Sequence, residues 1–397
     1  MTGIRTALVI GGGIAGPVAA VALRQAGIEA TVYEAYAASA DGVGATLVIA
    51  PNGLDALGAI GAGEAVLAIG LPISHNLVVD GRGRPIGEFP RLADLPPSRA
   101  MWRPDLYRVL HEHAKARGVA FEYGKRLVGA EETPDGVLAR FADGSTAVAD
   151  VLVGADGVGS AVRSLIDPHA PDPEHVPLLN FGGLADLKVP ARPDAVYFVY
   201  GNKGFLGYWV QPDGRTAWWS NLPHGAPMTA AQARETAPEE WLRRLAEVYA
   251  GDVPGRDLVR HTSPRDLSVL GTMHIMPSTP RWHRGRMVLV GDSVHAPSSS
   301  SGQGASLAVE SAIELARCLR DLPDAPAAFA AYERLRRPRV ESVAARAART
   351  NNTKTLGPVG RTMMKLMMPL AMKTFLTPEK TLGPEQRHHI DWDAPAA

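Results

Sequence analysis

Cysteine is nearly missing from this chain: Cys318 is the single one in 397 residues. One thiol cannot build a disulfide framework, a Cys-ligated zinc site or a CxxC redox centre. Charge of one sign is missing too. Lys plus Arg number 41 and Asp plus Glu number 41, which argues against a polyanion binder and so against a nucleic-acid partner. No apolar run reaches the roughly 18 residues of a membrane span. The start, Met1 to Ile10, runs into glycines rather than a small-residue cleavage site, and the chain reads as cytoplasmic. A P-loop, a GxSxG elbow and an HExxH pair are all absent, which disfavours nucleotide and ester hydrolysis. His111 and His113 stand two apart and do not share a helix face, so they form no metal site.

What is present is ordinary globular material, 46% apolar and 21% charged, with glycine gathered in a few clusters. At about 150 residues per domain, the length predicts two to three domains. The chain opens as strand (Ala7 to Ile10), glycine turn, helix (Ile14 to Ala26) and strand (Ala30 to Tyr33), a βαβ unit. A helix is expected over Pro104 to Lys115, and two strands, Val137 to Phe141 and Thr146 to Val153, around Asp143-Gly144. From about Pro177 to Pro223 the pattern turns to aromatic-rich strands: Val196 to Tyr200, Gly207 to Gln211 and Thr216 to Asn221. Trp241 to Tyr249 reads as a helix, Met287 to Val290 as a buried strand, and a helix begins near Gly302 and runs through Leu319.

Three motifs carry chemistry. Gly11, Gly13 and Gly16 form G-x-G-x-x-G between the first strand and helix, with Ile14 and Ala15 opening that helix. The first glycine allows the tight turn, the second admits a pyrophosphate, and the third lets helix pack on strand. Phosphate charge would then face free N–H groups. Glu34 ends the second strand, placed to accept from ribose hydroxyls, which favours NAD or FAD over NADP at this site. The second motif is Asp156-Gly157 after a buried strand, followed by Ser160 and Arg163. The third is Gly291-Asp292 after another strand, running through His295, Pro297 and a serine-rich loop to Gly302, Gly304 and Ala305. Either Asp could hold a polyol hydroxyl or simply cap a turn.

Together these motifs resemble the class A flavoprotein monooxygenases, the family of para-hydroxybenzoate and salicylate hydroxylases and of tetracycline-modifying monooxygenases. Ser299 stands where the family's third motif ends in Pro, and Trp102-Arg103-Pro104 resembles the family's arginine near the flavin phosphates. The resemblance spans about Ala7 to Arg349. It implies tight, non-covalent FAD held by Gly11, Gly13, Ile14, Ala15, Gly16, Glu34, Ala35, Arg103, Leu127, Asp156, Gly157, Gly291, Asp292, Pro297, Gly302, Gly304 and Ala305. It also implies NADH or NADPH as co-substrate and O₂ as oxidant. Its chemistry would be transfer of one oxygen atom through a flavin C4a-hydroperoxide, to hydroxylate or epoxidise an aromatic or polycyclic small molecule.

The expected fold is α/β: a Rossmann-type FAD-binding domain (1–70, 97–176 and 265–349), an inserted β-rich substrate domain (71–96 and 177–264) and a C-terminal helix and tail (350–397). Phe205, Tyr208, Trp209, Trp218 and Trp219 are candidate substrate walls, with strand alternation turning only some inward, and His224 borders the same cavity. No residue reads as a catalytic base, and His295 reads as structural. A reductase or halogenase on the same fold, or a silent flavin binder, is the alternative; the W-x-W-x-I-P halogenase signature is absent. The Met-rich stretch Arg361 to Leu376 reads as a helix packed across domains or against a second subunit, in a monomer or homodimer, ahead of an interfacial membrane helix.

Overall fold

The computed structural model describes residues 3–38, 46–353, 358–374 and 376–396. Phe375, within the Met-rich stretch, lies outside the described residues, as do the side chains of Arg361 and Lys373. The α/β expectation holds. A parallel sheet is built in the order His283–Arg284, Met287–Leu289, Val151–Gly154, Thr6–Ile10, Glu29–Glu34 and Ala120–Tyr123, with only the first pair antiparallel. Its central strands are buried on both faces, as helices on each side require. Helix Ala15–Gln25 packs on helix Gly304–Asp321, which carries the long helix Ala325–Thr353 on another side.

Register places the motifs together. Ile10 pairs with Gly154, and Gly154 with Leu289. Three strands therefore end level, and the loops that follow them begin at one edge. This is where a doubly wound sheet binds ligands.

One strand differs from expectation. The segment read as Thr146 to Val153 is two strands, Thr146–Ala149 in a hairpin sheet and Val151–Gly154 in the parallel sheet. Asp150 makes the break. Its carboxylate accepts from Arg5 N–H (2.7 Å), Thr6 N–H (2.9 Å) and the Thr6 hydroxyl (3.0 Å), pinning the chain where it changes sheets.

The second large sheet has seven strands in the order Thr262–Ile275, Glu174–Ala185, Thr216–Pro223, Phe205–Val210, Ala195–Tyr200, His75–Asp80 and Pro85–Pro90. It draws in strands from two distant parts of the chain, and its outer strand extends to Ile275. Helix Pro238–Val248 covers one face through Trp241 and Leu245, packed with Phe181, Leu206, Tyr208 and Trp218. The other face meets a small sheet of Thr46–Ile49, Ser98–Trp102 and Leu71–Ile73. The Met-rich helix Pro358–Thr374 lies against strand Pro85–Pro90, and Lys365 pairs with Asp80 at 3.1 Å. Its Met363, Leu366, Met367 and Leu370 are exposed. Among the described residues no helix is long and apolar enough to cross a membrane.

Candidate functional site

The glycine turn obeys the steric logic of its motif. Gly11 sits at φ +104°, and a Cβ there would lie 2.5 Å from the Ala155 carbonyl oxygen. A Cβ on Gly16 would stand 1.9 Å from the Gly11 oxygen, so helix and turn touch backbone to backbone. At Gly13 nothing lies within 4 Å, leaving room for a ligand to approach. Helices Ala15–Gln25 and Gly304–Asp321 both begin without a side-chain cap and without an acidic residue in the first turn. Their N-terminal N–H groups are therefore available to negative charge.

Glu34 is buried and already oriented. Its Oε2 accepts from Gly12 N–H at 2.7 Å and its Oε1 from Tyr36 N–H at 2.9 Å. Each oxygen retains a lone pair for a ribose hydroxyl. Ala35 follows it, half-buried, and Leu127 is a buried residue opening strand Leu127–Thr133. His111, read from sequence only as a failed metal ligand, contributes to this corner: its Nε2 lies 2.6 Å from the Gly12 carbonyl oxygen. The ring stacks between Tyr107 (4.0 Å) and Phe121 (4.6 Å). A histidine helical partner to a glycine loop leaves no spacing signature, which is why the sequence does not show it.

Asp156 and Asp292 do different work. Asp156 turns into the protein, where its Oδ1 accepts from the Ser160 hydroxyl (2.5 Å) and its Oδ2 from Val162 N–H (3.1 Å), at the head of helix Ala161–Ile166. Burial raises its carboxyl above the usual range. Gly157 then takes φ +76°. Asp292 is instead open to solvent, yet enough protein surrounds it that desolvation pushes its carboxyl up to about 6, against the pull of Arg103. An accessible carboxylate of this kind can accept from a ligand hydroxyl. The Gly291 turn abuts the first helix: a Cβ on Gly291 would stand 3.0 Å from that of Ala15.

Arg163 joins the second and third motifs. Its Nη1 donates to the Ser293 carbonyl (2.9 Å) and its Nη2 to that of Val158 (2.8 Å), across 130 residues in the first case. His295 is buried with Nε2 2.9 Å from Ser311 Oγ, and burial lowers its ring to about 3, so it is neutral at physiological pH. Pro297 lines, with Trp282, His295 and Val340, a cavity of about 380 Å³ beside the long helix. Gly302 adopts φ +62°, the left-handed turn that lets Gly304 and Ala305 open the next helix. Among the described residues no group of His, Cys, Asp and Glu could hold a metal.

The five aromatic wall candidates divide by strand parity. Phe205, Trp209 and Trp219 share the face that meets Ile73, Ala100 and Trp102, alongside Phe198. Tyr208 and Trp218 occupy the opposite face, beneath helix Pro238–Val248. There the Trp218 indole N–H donates to Thr262 Oγ1 at 2.9 Å, and Tyr208 stacks on Tyr197 at 4.7 Å. Trp218 and Trp219 each lie over a glycine of a neighbour strand. A Cβ on Gly207 would stand 2.0 Å from Trp219, and one on Gly183 would stand 2.3 Å from Trp218. His224, half-buried, follows strand Thr216–Pro223 and donates its N–H to the Pro177 carbonyl at 3.0 Å. It influences His175, whose ring is lowered by burial and by neighbouring His274 and His224.

Comparison with known proteins agrees with this geometry. A family model described as an FAD binding domain matches residues 5–347. The chain is 31% identical over 318 residues to the aurachin C monooxygenase/isomerase of Stigmatella aurantiaca, covering 79% of this chain and 80% of that one. It is 31% identical over 326 residues to an FAD-dependent urate hydroxylase of Klebsiella pneumoniae, covering 79% and 81%. The crystal structure of Klebsiella pneumoniae HpxO with FAD and uric acid superposes with a TM-score of 0.82 at 26% identity, over 96% of this chain and 98% of that one. The chain is thus a member of the FAD binding domain family, the class A flavin-dependent monooxygenases.

Proposed function

We propose that this enzyme takes electrons from NADH or NADPH and transfers one atom of O₂ to an aromatic or polycyclic small molecule, held beside half-buried Trp219, with buried Phe205 and Trp209 packed behind it on the same face of the seven-stranded sheet. The observation that carries this reading is the continuity of that face with Trp102, which immediately precedes Arg103, whose charge reaches Asp292. An apolar wall thus adjoins the proposed cofactor cradle.

FAD, when bound, supplies the redox and oxygen chemistry. The protein's residues position and shield. Gly11, Gly13 and the helix opened by Ile14 and Ala15 take the pyrophosphate, Glu34 takes the ribose, and Asp292 takes a polyol hydroxyl. Asp156 and Gly157 shape the neighbouring loop, which Arg163 ties to the Asp292 loop. The Trp209 and Trp219 side chains exclude water from a reaction that water would divert. His224 lies at the end of the same sheet. We assign 1–70, 97–176 and 265–349 to FAD binding and 71–96 and 177–264 to the substrate domain, except that strands Glu174–Ala185 and Thr262–Ile275 carry the substrate sheet out to residues 174 and 275, with 350–397 as C-terminal helix and tail, and place the enzyme in the cytoplasm as a monomer or homodimer.

The test is consumption of NADH or NADPH with and without candidate phenols under ¹⁸O₂. Stimulated consumption and a product bearing one ¹⁸O atom establish the reading. Consumption without labelled product would move the protein to the reductases, and a yellow protein that oxidises neither nicotinamide would make it a binder.

A further inference from the structure

The two sides of the Met-rich helix Pro358–Thr374 have different surroundings. Met364, Lys365, Met368, Ala371 and Met372 are half-buried, at the three- and four-residue spacing of one helix side. That side meets strand Pro85–Pro90 at the edge of the seven-stranded sheet. There a Cβ on Gly87 would stand 2.0 Å from Met372 Sδ, and Lys365 pairs with Asp80 at 3.1 Å. On the other side Met363, Leu366, Met367 and Leu370 keep the same spacing and are 59%, 75%, 60% and 66% exposed. Nine large hydrophobic side chains are exposed among the described residues, and four of them stand in this one stripe. Scattered singly, such side chains are ordinary; gathered in a stripe, they mark a surface that something covers.

The charge around the stripe is of one sign. Between Glu341 and Glu379 the chain holds Arg346, Arg349, Lys354, Arg361, Lys365 and Lys373 and no Asp or Glu, although the whole chain balances 41 against 41. Arg346 is paired with Glu385, and Lys365 with Asp80. With those two set aside, Arg349, Lys354, Arg361 and Lys373 still make the segment cationic, and the last two bracket the stripe in sequence. The helix is not long and apolar enough to cross a bilayer. An apolar stripe bracketed by Lys and Arg suits a helix lying in the headgroup layer of an anionic membrane. A second copy of the chain fits less well, because a two-fold contact sets the same patch, cations included, against itself.

We infer that helix Pro358–Thr374 docks this protein peripherally on an anionic lipid bilayer. Met363, Leu366, Met367 and Leu370 enter the headgroup layer, and the flanking cations meet lipid phosphates. With its other side fixed to Pro85–Pro90, the helix holds the edge of the seven-stranded sheet at the membrane surface. Docking of this kind is independent of the reaction the enzyme catalyses.

The test is co-sedimentation of the full-length protein with vesicles of phosphatidylcholine, alone or mixed with phosphatidylglycerol. Wild type is expected to sediment with the anionic vesicles and to be released by salt, which screens the phosphate contacts. Leu366→Ser combined with Leu370→Ser is expected to bind at least about tenfold more weakly, as is Arg361→Gln combined with Lys373→Gln. Unfolding midpoints near wild type show that the variants fold; Leu366→Ser alone, at the most exposed position, decides if a double variant does not. Wild type that ignores anionic vesicles, equal binding to both vesicle types, or unchanged binding by the folded variants would each overturn the docking site. A homodimer that the serine variant splits, with no binding to lipid, would overturn it in favour of a second copy.

Discussion

The two large sheets place their chemistry differently. In the parallel sheet it sits at strand ends, where Gly11, Asp156 and Gly291 follow Ile10, Gly154 and Leu289. In the seven-stranded sheet the proposed substrate wall is on a face, and adjacent tryptophans Trp218 and Trp219 belong to opposite sides. A strand end is constrained by backbone sterics, which demand glycine at particular positions. A face is constrained only by parity and packing, so many apolar side chains serve.

The sharpest test of the strand-end rule is Gly16→Ala. With its Cβ 1.9 Å from the Gly11 oxygen, the variant must part helix from turn. It is expected to lose about 4 kcal/mol or more and to purify without flavin, read by thermal unfolding and visible absorbance. A yellow, stable variant would break the comparison at its firmer end.

On the face, the paired tryptophans should separate stability from function. Trp218→Ala removes a fully buried side chain and its bond to Thr262, and is expected to cost about 3–5 kcal/mol while leaving KM near wild type. Trp219→Ala should cost far less stability and instead raise KM or divert reducing equivalents to peroxide. Equal effects on both readouts would mean that parity does not sort them.

Smaller effects sharpen the strand-end picture. Glu34→Gln keeps the shape but loses the charged acceptor, and about a tenfold weaker FAD affinity is expected by fluorescence titration. His295 gives a pH signature. Its ring falls from an ordinary 6.5 to about 3 in the fold because burial penalises the charged form. The stabilisation from the neutral ring is complete above about 6.5 and is lost as pH falls toward 3. In apo His295→Gln, the slope of stability against pH across that window is expected to flatten by about one proton. On the Met-rich helix, Leu366→Ser at an exposed position should move stability by no more than about 0.5 kcal/mol in chemical denaturation.

The sequence showed the strand ends because their constraints are local: Gly11, Gly13, Gly16 and Glu34 fall within one βαβ unit. It showed the aromatic sheet as strands but not which side chains share a face with Trp102, because that depends on how Glu174–Ala185, Thr216–Pro223 and Phe205–Val210 pair. The break at Asp150 was hidden for the same reason, since its partners Arg5 and Thr6 lie at the other end of the chain. His111 was silent because it acts on a loop rather than through a motif of its own.

Arg163 grips the Ser293 carbonyl across 130 residues, and the strand preceding that loop completes the row beside Val151–Gly154. During synthesis the amino-terminal turn emerges long before either piece. A nascent chain therefore carries the glycine turn with no opposing wall until about residue 305 has cleared the ribosome. If these loops hold the cofactor as proposed, its capture is expected late in synthesis, and chains shortened before Met287 are expected to remain colourless however much of the aromatic sheet they had folded.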